Sequence, residues 1–185
     1  LIMGSEGTFA VLTEVTYKIH PLPESQTMHA FMFEEFSDGL EAIRKIMRAG
    51  WKPALLRLYD AAESKRHFGR SVNGGCMLLI LSEGPQALTR VEMSACYDIC
   101  METRGWDWGE NPVKHWLKKR FEIPNLNELA LEKGVVFDTI EVSADWDHVA
   151  DLYKAVVAAL KAVPGVLVAS AHSSHSYQQG SCLYF

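Results

Sequence analysis

Strand-like and amphipathic helix-like segments alternate along most of this chain, and this alternation most constrains the fold. The predicted strands are 26–33, 53–59, 76–82, 135–142, 165–170 and 181–185, and the predicted helices are 36–48, 61–68, 85–102 and 146–163. Residues 106–133, with three tryptophans among Asn-Pro and Ile-Pro pairs, predict a helical insertion with loops. Two β-α-β passes around this insertion predict an α+β fold, a ferredoxin-like antiparallel sheet with helices mainly on one side.

Composition and charge narrow the classes of partner. The chain of 185 residues is 48% hydrophobic and 22% charged, which is ordinary for a globular domain. A net charge of -5 argues against nucleic acid as a partner, and no apolar run has the length that a bilayer span needs. The four cysteines lack the spacing of zinc ligands, so the sequence predicts reduced thiols and no metal site. They are Cys76, Cys96, Cys100 and Cys182.

Two histidines are singled out by their surroundings. His172 and His175 stand three apart in a serine-rich segment, but no Asp, Glu or Cys with suitable spacing accompanies them. A polar hairpin is therefore favoured over a metal site. Tyr184 lies in the apolar run that follows, where the residues alone favour simple packing of its ring.

The first residues carry a glycine-bearing turn that runs directly into a segment of alternating polarity, predicted as a strand over 11–19. Small residues before a strand let the backbone approach a flat ligand, although such a turn alone is more often only a turn. Pro21-Leu22-Pro23-Glu24 then predicts a domain boundary after residue 24. Because the chain starts in this turn and stops inside a strand-like run, we expect both ends to be internal to a longer protein.

The run GSEGTFAVLTEVTYKIHPLPE resembles the closing segment of the FAD-binding domain in flavoproteins of the vanillyl-alcohol oxidase and p-cresol methylhydroxylase type. The resemblance implies FAD as the cofactor and residues 1–24 as the end of its domain. Residues 25–185 are then a substrate-side cap domain, truncated at its C-terminal end. Ala10 stands where the family has a second glycine. The implied FAD-binding residues are Glu6, Gly7, Thr8, Phe9, Ala10, Val11 and Leu12.

Three further segments resemble the alkyldihydroxyacetonephosphate synthases and their bacterial relatives: PALLRLYD, LALEKGVVFDTIEVSADWDHV and HSSHSYQQGSCLYF. In that family a tyrosine of the last segment exchanges a proton beside the flavin, which implies a catalytic role for Tyr184. The first segment implies substrate binding by Arg57. Where the synthases hold a phosphate with Arg, this chain has Asn127, which lacks the charge and the fork geometry. Arg120, seven residues upstream, is the alternative if the loop folds back.

Residues and resemblance together predict part of an FAD-dependent oxidoreductase. It would oxidise a hydroxy acid or alcohol, or exchange acyl for alkyl on a glycerone-phosphate ester, and Asn127 favours oxidation. Because the relatives' pyrophosphate loop and histidine motif are absent from this chain, we expect it to be inactive alone. The alternative from another class is a non-catalytic ferredoxin-like module that binds a partner or dimerises through its sheet.

The predicted partner is a small-molecule substrate, with a lipid and a phosphate ester among the candidates. Association with a membrane surface and formation of a homodimer are left open. The expected compartment is the cytoplasm, or the peroxisome if the source is eukaryotic.

Overall fold

The computed structural model describes residues 2–69, 72, 74–122 and 126–185, and only the backbone of residues 126–129. The strands are β1 (Ser25–Phe33), β2 (Leu55–Tyr59), β3 (Cys76–Gly84), β4 (Trp106–Gly109), β5 (Glu141–Asp145), β6 (His172–Ser176) and β7 (Gly180–Tyr184). The helices are α1 (Phe36–Arg48), α2 (Ala61–Phe68), α3 (Gln86–Glu102), α4 (Asn111–Lys119), α5 (Leu126–Lys133) and α6 (Val149–Lys161). Of the helices described, none is long and apolar enough to cross a membrane.

The described strands form one sheet in the order β4-β1-β3-β2-β6-β7-β5, and neighbouring strands are antiparallel throughout. The first four strands, with α1 and α3 as their crossovers, follow the β-α-β-β-α-β arrangement of a ferredoxin-like fold. The remaining three strands and α6 extend the sheet beyond β2. The predicted α+β fold with an antiparallel sheet is therefore confirmed.

Alternation along the central strands separates two apolar layers on the two faces of the sheet. The larger layer joins the sheet to α1, α3 and α6, and its sheet residues include Phe31, Phe33, Leu56, Leu58, Leu78, Ile80 and Leu183. The smaller layer lies on the opposite face and is completed by α2 and α4; its members include Met32, Tyr59, Met77, Leu79, Val113, Phe68 and Trp116. Complete burial of each large aliphatic side chain stabilises the fold by about 1.5–3 kcal/mol.

The ends of the sheet differ from the prediction at four places. The predicted strand over 11–19 is absent, and its side chains are exposed, Val11 to 88% and Tyr17 to 79%. The predicted strand over 135–142 begins only at Glu141, and residues 165–170 form no strand. Conversely, Trp106–Gly109 pairs with β1 inside the segment that was predicted as helix and loop. A strand forms only where a neighbour offers its backbone groups, and an isolated segment carries no information on that neighbour.

Candidate functional site

Four side chains form a row across four neighbouring strands, on the face of the sheet opposite α1, α3 and α6. The register pairs Glu141 of β5 with Tyr184 of β7, Tyr184 with His172 of β6, and His172 with Tyr59 of β2. Leu183, the neighbour of Tyr184, is fully buried in the larger apolar layer, so Tyr184 points to the other face and stays partly accessible. We call these four residues the cross-strand row.

His172 joins the cross-strand row to side chains of β2 and α2. Its Nδ1 lies 2.9 Å from Oε2 of Glu63 on α2, and its Nε2 lies 2.8 Å from Nη2 of Arg57 on β2. Arg57 also donates from Nε to the Tyr59 hydroxyl at 2.8 Å. On its open side the imidazole stacks on the Tyr184 ring, with centroids 5.2 Å apart and planes inclined by 3°. The structure therefore links Arg57 and Tyr184, both predicted from resemblance, through a residue that was not predicted for this role.

The aromatic side chain of Trp116, on α4, is shared by two guanidinium groups. The Arg57 guanidinium carbon lies 5.8 Å from the Trp116 ring centroid, and that of Arg120 lies 5.6 Å from it. Both distances are within the range of cation–π attraction. Arg120, weighed as an alternative anion-binding residue, is thus brought to the same end of the site as Arg57. Two cations around one indole create a positive potential that suits an anionic ligand.

The carboxylate of Asp60 fixes the backbone around this site. Its Oδ1 accepts the N–H of Glu63 at 2.9 Å and so caps α2, as predicted. Its Oδ2 accepts the N–H of Ala171 at 2.8 Å and the hydroxyl of Tyr153 at 3.2 Å. Burial raises the pKa of Asp60, although these donors act against that rise. Because Glu63 belongs to α2 and Ala171 precedes His172, one buried side chain sets the distance between Glu63 and His172.

The two carboxylates of the site, Glu63 beside the cross-strand row and Glu141 within it, differ in environment. Burial alone would raise the pKa of Glu63, whose side chain is 8% exposed, but the hydrogen bond from His172 and the charge of Arg66 outweigh it and lower the pKa. Glu141 is exposed, its carboxylate accepts from the Cys182 thiol at 3.1 Å, and it is the register partner of Tyr184. The neighbouring Glu141 carboxylate raises the pKa of Tyr184, so the phenol stays protonated at neutral pH.

A bulge in β6 brings both histidines of the serine-rich segment to one face. Register partners shift between Ser173 and His175, so His175 pairs with Cys182 while His172 pairs with Tyr184. The predicted polar hairpin is therefore present, formed by β6 and β7. Among the described residues, no group of three or more His, Cys, Asp or Glu side chains is arranged to hold a metal ion. Tyr177 lies at the exposed end of this hairpin, where its carbonyl accepts from the Trp146 indole at 3.1 Å.

The glycine-bearing turn near the start of the chain has the backbone conformation expected for close approach of a ligand. Gly4, Glu6 and Gly7 have positive φ values of 83°, 50° and 77°, and the Ser5 carbonyl accepts from the Thr8 backbone N–H at 2.9 Å. In the part of the chain that the structure describes, the backbone of residues 9–12 has no hydrogen-bond partner. Free main-chain donors after a left-handed turn are a donor set that fits a nucleotide cofactor such as FAD. The binding role of Glu6 to Leu12 stays a prediction.

The position of Asn127 is described only in part. It falls in the first turn of α5, and its side chain lies outside the described residues. Its contact with substrate therefore stays a prediction.

Four residues of the site were not predicted from the sequence: Glu63, His172, Trp116 and Glu141. Two of them left a signal: Glu63 stands three residues after the capping Asp60, and His172 lies in the serine-rich segment with His175.

Residues 22–185 match the family model described as FAD linked oxidases, C-terminal domain. The uncharacterized FAD-linked oxidoreductase YgcU of Escherichia coli (strain K12) is 30% identical over 205 residues, covering all of this chain and 40% of that protein. An alkyldihydroxyacetonephosphate synthase of Dictyostelium discoideum is 24% identical over 216 residues, covering all of this chain and 35% of that protein. A solved alkyldihydroxyacetonephosphate synthase structure superposes with a TM-score of 0.75 at 25% identity, covering 89% of this chain and 36% of the other. The chain thus spans at most two fifths of these relatives.

Proposed function

Because this chain belongs to the family of FAD linked oxidases, C-terminal domain, we propose that it forms the substrate side of an FAD-dependent oxidoreductase. The family match confirms the resemblance and the cofactor, FAD, that the sequence predicted. We assign residues 1–24 to the end of the FAD-binding domain and residues 25–185 to the cap domain. The reaction belongs to the whole protein, of which this chain contributes the cross-strand row.

The observation that carries the proposal is that Arg57 and Tyr184 lie on one face of the sheet and both contact His172. Arg57 uses Nε and Nη2 within the protein, and Nη1 has no acceptor among the described residues. A guanidinium with a free donor, held in place by its other nitrogens, suits a carboxylate or phosphate oxygen of a substrate. A phenol on the same face can then reach a hydroxyl on the same small molecule.

Tyr184 and Glu141 together provide a path for the substrate proton. Since the phenol is protonated at neutral pH, Tyr184 can accept a proton from a substrate hydroxyl only by passing its own proton on. The Glu141 carboxylate, on the register partner of Tyr184, is the base to which we assign that proton. FAD, when bound, supplies the oxidant that takes up the hydride from the carbon bearing the hydroxyl. Substrate binding by Arg57 and proton transfer at the Tyr184 oxygen are the contributions of this chain.

The substrate class that fits best is a small hydroxy acid, with its carboxylate on Arg57. Exchange of acyl for alkyl on a glycerone-phosphate ester is the second candidate, favoured by the synthase likeness and by Arg120 beside Trp116. Asn127, in place of the arginine of the synthase pattern, favours the hydroxy acid. A non-catalytic module is the remaining alternative.

The proposal is tested with the full-length protein purified with its flavin. Anaerobic mixing with a panel of D- and L-2-hydroxy acids should bleach the oxidised flavin absorbance, while an acyl-dihydroxyacetone phosphate supplied together with a long-chain alcohol should not give the alkyl product and free fatty acid. Arg57→Met should abolish saturation by the hydroxy acid, and Arg90→Met, on the exposed surface of α3, should not. A colourless full-length protein, or one that no substrate of the panel reduces, would favour the non-catalytic module.

A further inference from the structure

The hydrogen bonds of His172 define which of its nitrogens carries the proton. An arginine guanidinium only donates, because it stays protonated at any ordinary pH. Since Nη2 of Arg57 lies 2.8 Å from Nε2 of His172, that nitrogen is the acceptor and carries no proton. The imidazole proton is then on Nδ1, from which it is donated to Glu63 at 2.9 Å. An imidazolium has two donors and cannot accept from Arg57.

The surroundings of His172 hold this arrangement rigidly. The side chains of His172 and Glu63 are 15% and 8% exposed, and the Glu63 carboxylate also accepts from Arg66 at 2.8 Å. Asp60 ties the segment before His172 to the first turn of α2. The imidazole therefore presents two fixed features to the site, an acceptor toward Arg57 and a flat face toward Tyr184.

We propose that His172, as a neutral imidazole with its proton on Nδ1, is a positioning residue that orients Arg57 and Tyr184 for the substrate. It acts through both residues: Nε2 holds the guanidinium so that Nη1 faces the ligand, and the ring stacks on the phenol. Holding a flexible arginine in its binding orientation removes an entropic cost when an anion binds. This inference rests on the proposed function insofar as Arg57 is the anion-binding residue.

The protonation state is tested without any turnover. In full-length protein labelled with ¹⁵N-histidine, the signal of His172 is identified by its loss in His172→Gln. At neutral pH that signal should show a protonated Nδ1 and an unprotonated Nε2. His175, exposed on the same hairpin, serves as the control through His175→Gln. A signal from His172 with its proton on Nε2, or on both nitrogens, would overturn the inference.

Two substitutions separate the two hydrogen bonds. The Asn amide can take the place of Nδ1 and keep the donor to Glu63, whereas the Gln carbonyl can take the place of Nε2 and keep the acceptor for Arg57. Binding of inorganic phosphate, the anion probe, is measured by calorimetry on the flavin-loaded protein. His172→Asn should weaken it about tenfold or more, the effect of losing one hydrogen bond to a charged group, and His172→Gln should remain close to wild type.

The outcomes separate this inference from the proposed function. Equal phosphate affinity in the Asn and Gln variants would show that His172 does not orient Arg57. Equal loss of thermal stability in the two variants, with the affinity difference retained, would support positioning over a purely structural role. A wild-type protein that binds phosphate no better than Arg57→Met would refute the anion site of the proposed function, while the ¹⁵N signals would still decide the state of His172.

Discussion

The rings of His172 and Tyr184 lie in nearly parallel planes, with centroids 5.2 Å apart. They are register partners on adjacent strands, and Glu141 flanks the tyrosine on its other side. Tyr184 therefore has a stacking partner on one side and a carboxylate on the other. This arrangement separates ring packing from hydroxyl chemistry, so each can be removed without the other.

Tyr184→Phe keeps the ring and deletes the hydroxyl. We expect the stability of the protein to change little, because the lost group is on the accessible face, and flavin reduction to slow by a factor of about 10²–10⁴. Stopped-flow absorbance of the full-length protein measures the rate. Tyr177→Phe, on the exposed turn of the same hairpin, is the matched control and should leave the rate unchanged. An unaltered rate in Tyr184→Phe would leave the tyrosine a packing residue only.

Glu63 should give the protein a specific dependence of stability on pH. Its pKa in the folded chain is below the ordinary value of 4.5, so the native state binds this proton more weakly than the unfolded chain does. The stabilisation from ionised Glu63 is therefore complete above pH 4.5 and is lost as the pH falls through the lowered pKa.

Urea unfolding of wild type and Glu63→Gln at neutral and acidic pH tests this dependence. Wild type should be the more stable at neutral pH, and the difference between the two free energies of unfolding should shrink on acidification. Burial raises the pKa of Asp60 in both proteins, and the charge of Glu63 adds to that rise in the wild type only. A difference that stays constant or grows toward acidic pH would contradict the assignment.

Removing the Asp60 carboxylate should both destabilise the fold and disorder the site. Asp60→Ala leaves three donors near the core without their acceptor, at a cost of about 1–3 kcal/mol for each one that stays buried. Chemical denaturation measures the loss in the free energy of unfolding. Asp98→Ala, on the exposed side of α3, should lie within about 0.5 kcal/mol of wild type. Similar values for the two variants would mean that Asp60 is dispensable.

Gly7→Val should lower the flavin content of the full-length protein. In this chain a β-carbon on Gly7 meets no atom within 4 Å, so the strain comes from its φ of 77°, which a β-branched residue rarely adopts. Gly50→Val carries similar strain, with a φ of 90°, at the end of α1, away from the turn. The ratio of flavin to protein absorbance should fall for Gly7→Val and stay at the wild-type value for Gly50→Val. Full flavin content in Gly7→Val would remove the turn from the cofactor site.

Asn127→Arg should improve the binding of a dihydroxyacetone-phosphate ester. A charge-assisted hydrogen bond of this kind contributes about 1.5–3 kcal/mol, which corresponds to about a tenfold to hundredfold lower Kd. Isothermal titration calorimetry of the full-length protein, with and without the substitution, measures the Kd of the ester. Asn127→Gln is the neutral control. Tight binding of the ester by wild type, with no gain in Asn127→Arg, would place the phosphate site elsewhere.

Local chemistry was sufficient to predict much of the fold. The cap at Asp60, the amphipathic helix α1, the start of α3 after Pro85 and the opposite orientation of Leu183 and Tyr184 all follow from residue types and spacing along the chain. The segments over 11–19 and 165–170 have the sequence pattern of strands but form none, because a strand also requires backbone hydrogen bonds to a neighbouring strand. The edge strand β4 is the converse case: it pairs with β1 although its sequence predicts helix and loops.

The sequence by itself determined that Leu183 and Tyr184 occupy opposite faces of their strand, and its family resemblance implied roles for Arg57 and Tyr184. Only the tertiary structure decided that His172 lies between them, because Arg57 and His172 are 115 residues apart and meet through the pairing of β2 with β6. The bulge after Ser173 then decides which face His175 shares with His172. Backbone hydrogen-bonding groups are alike at every residue, so strand order and register are selected by how the two apolar layers pack, which no local segment encodes.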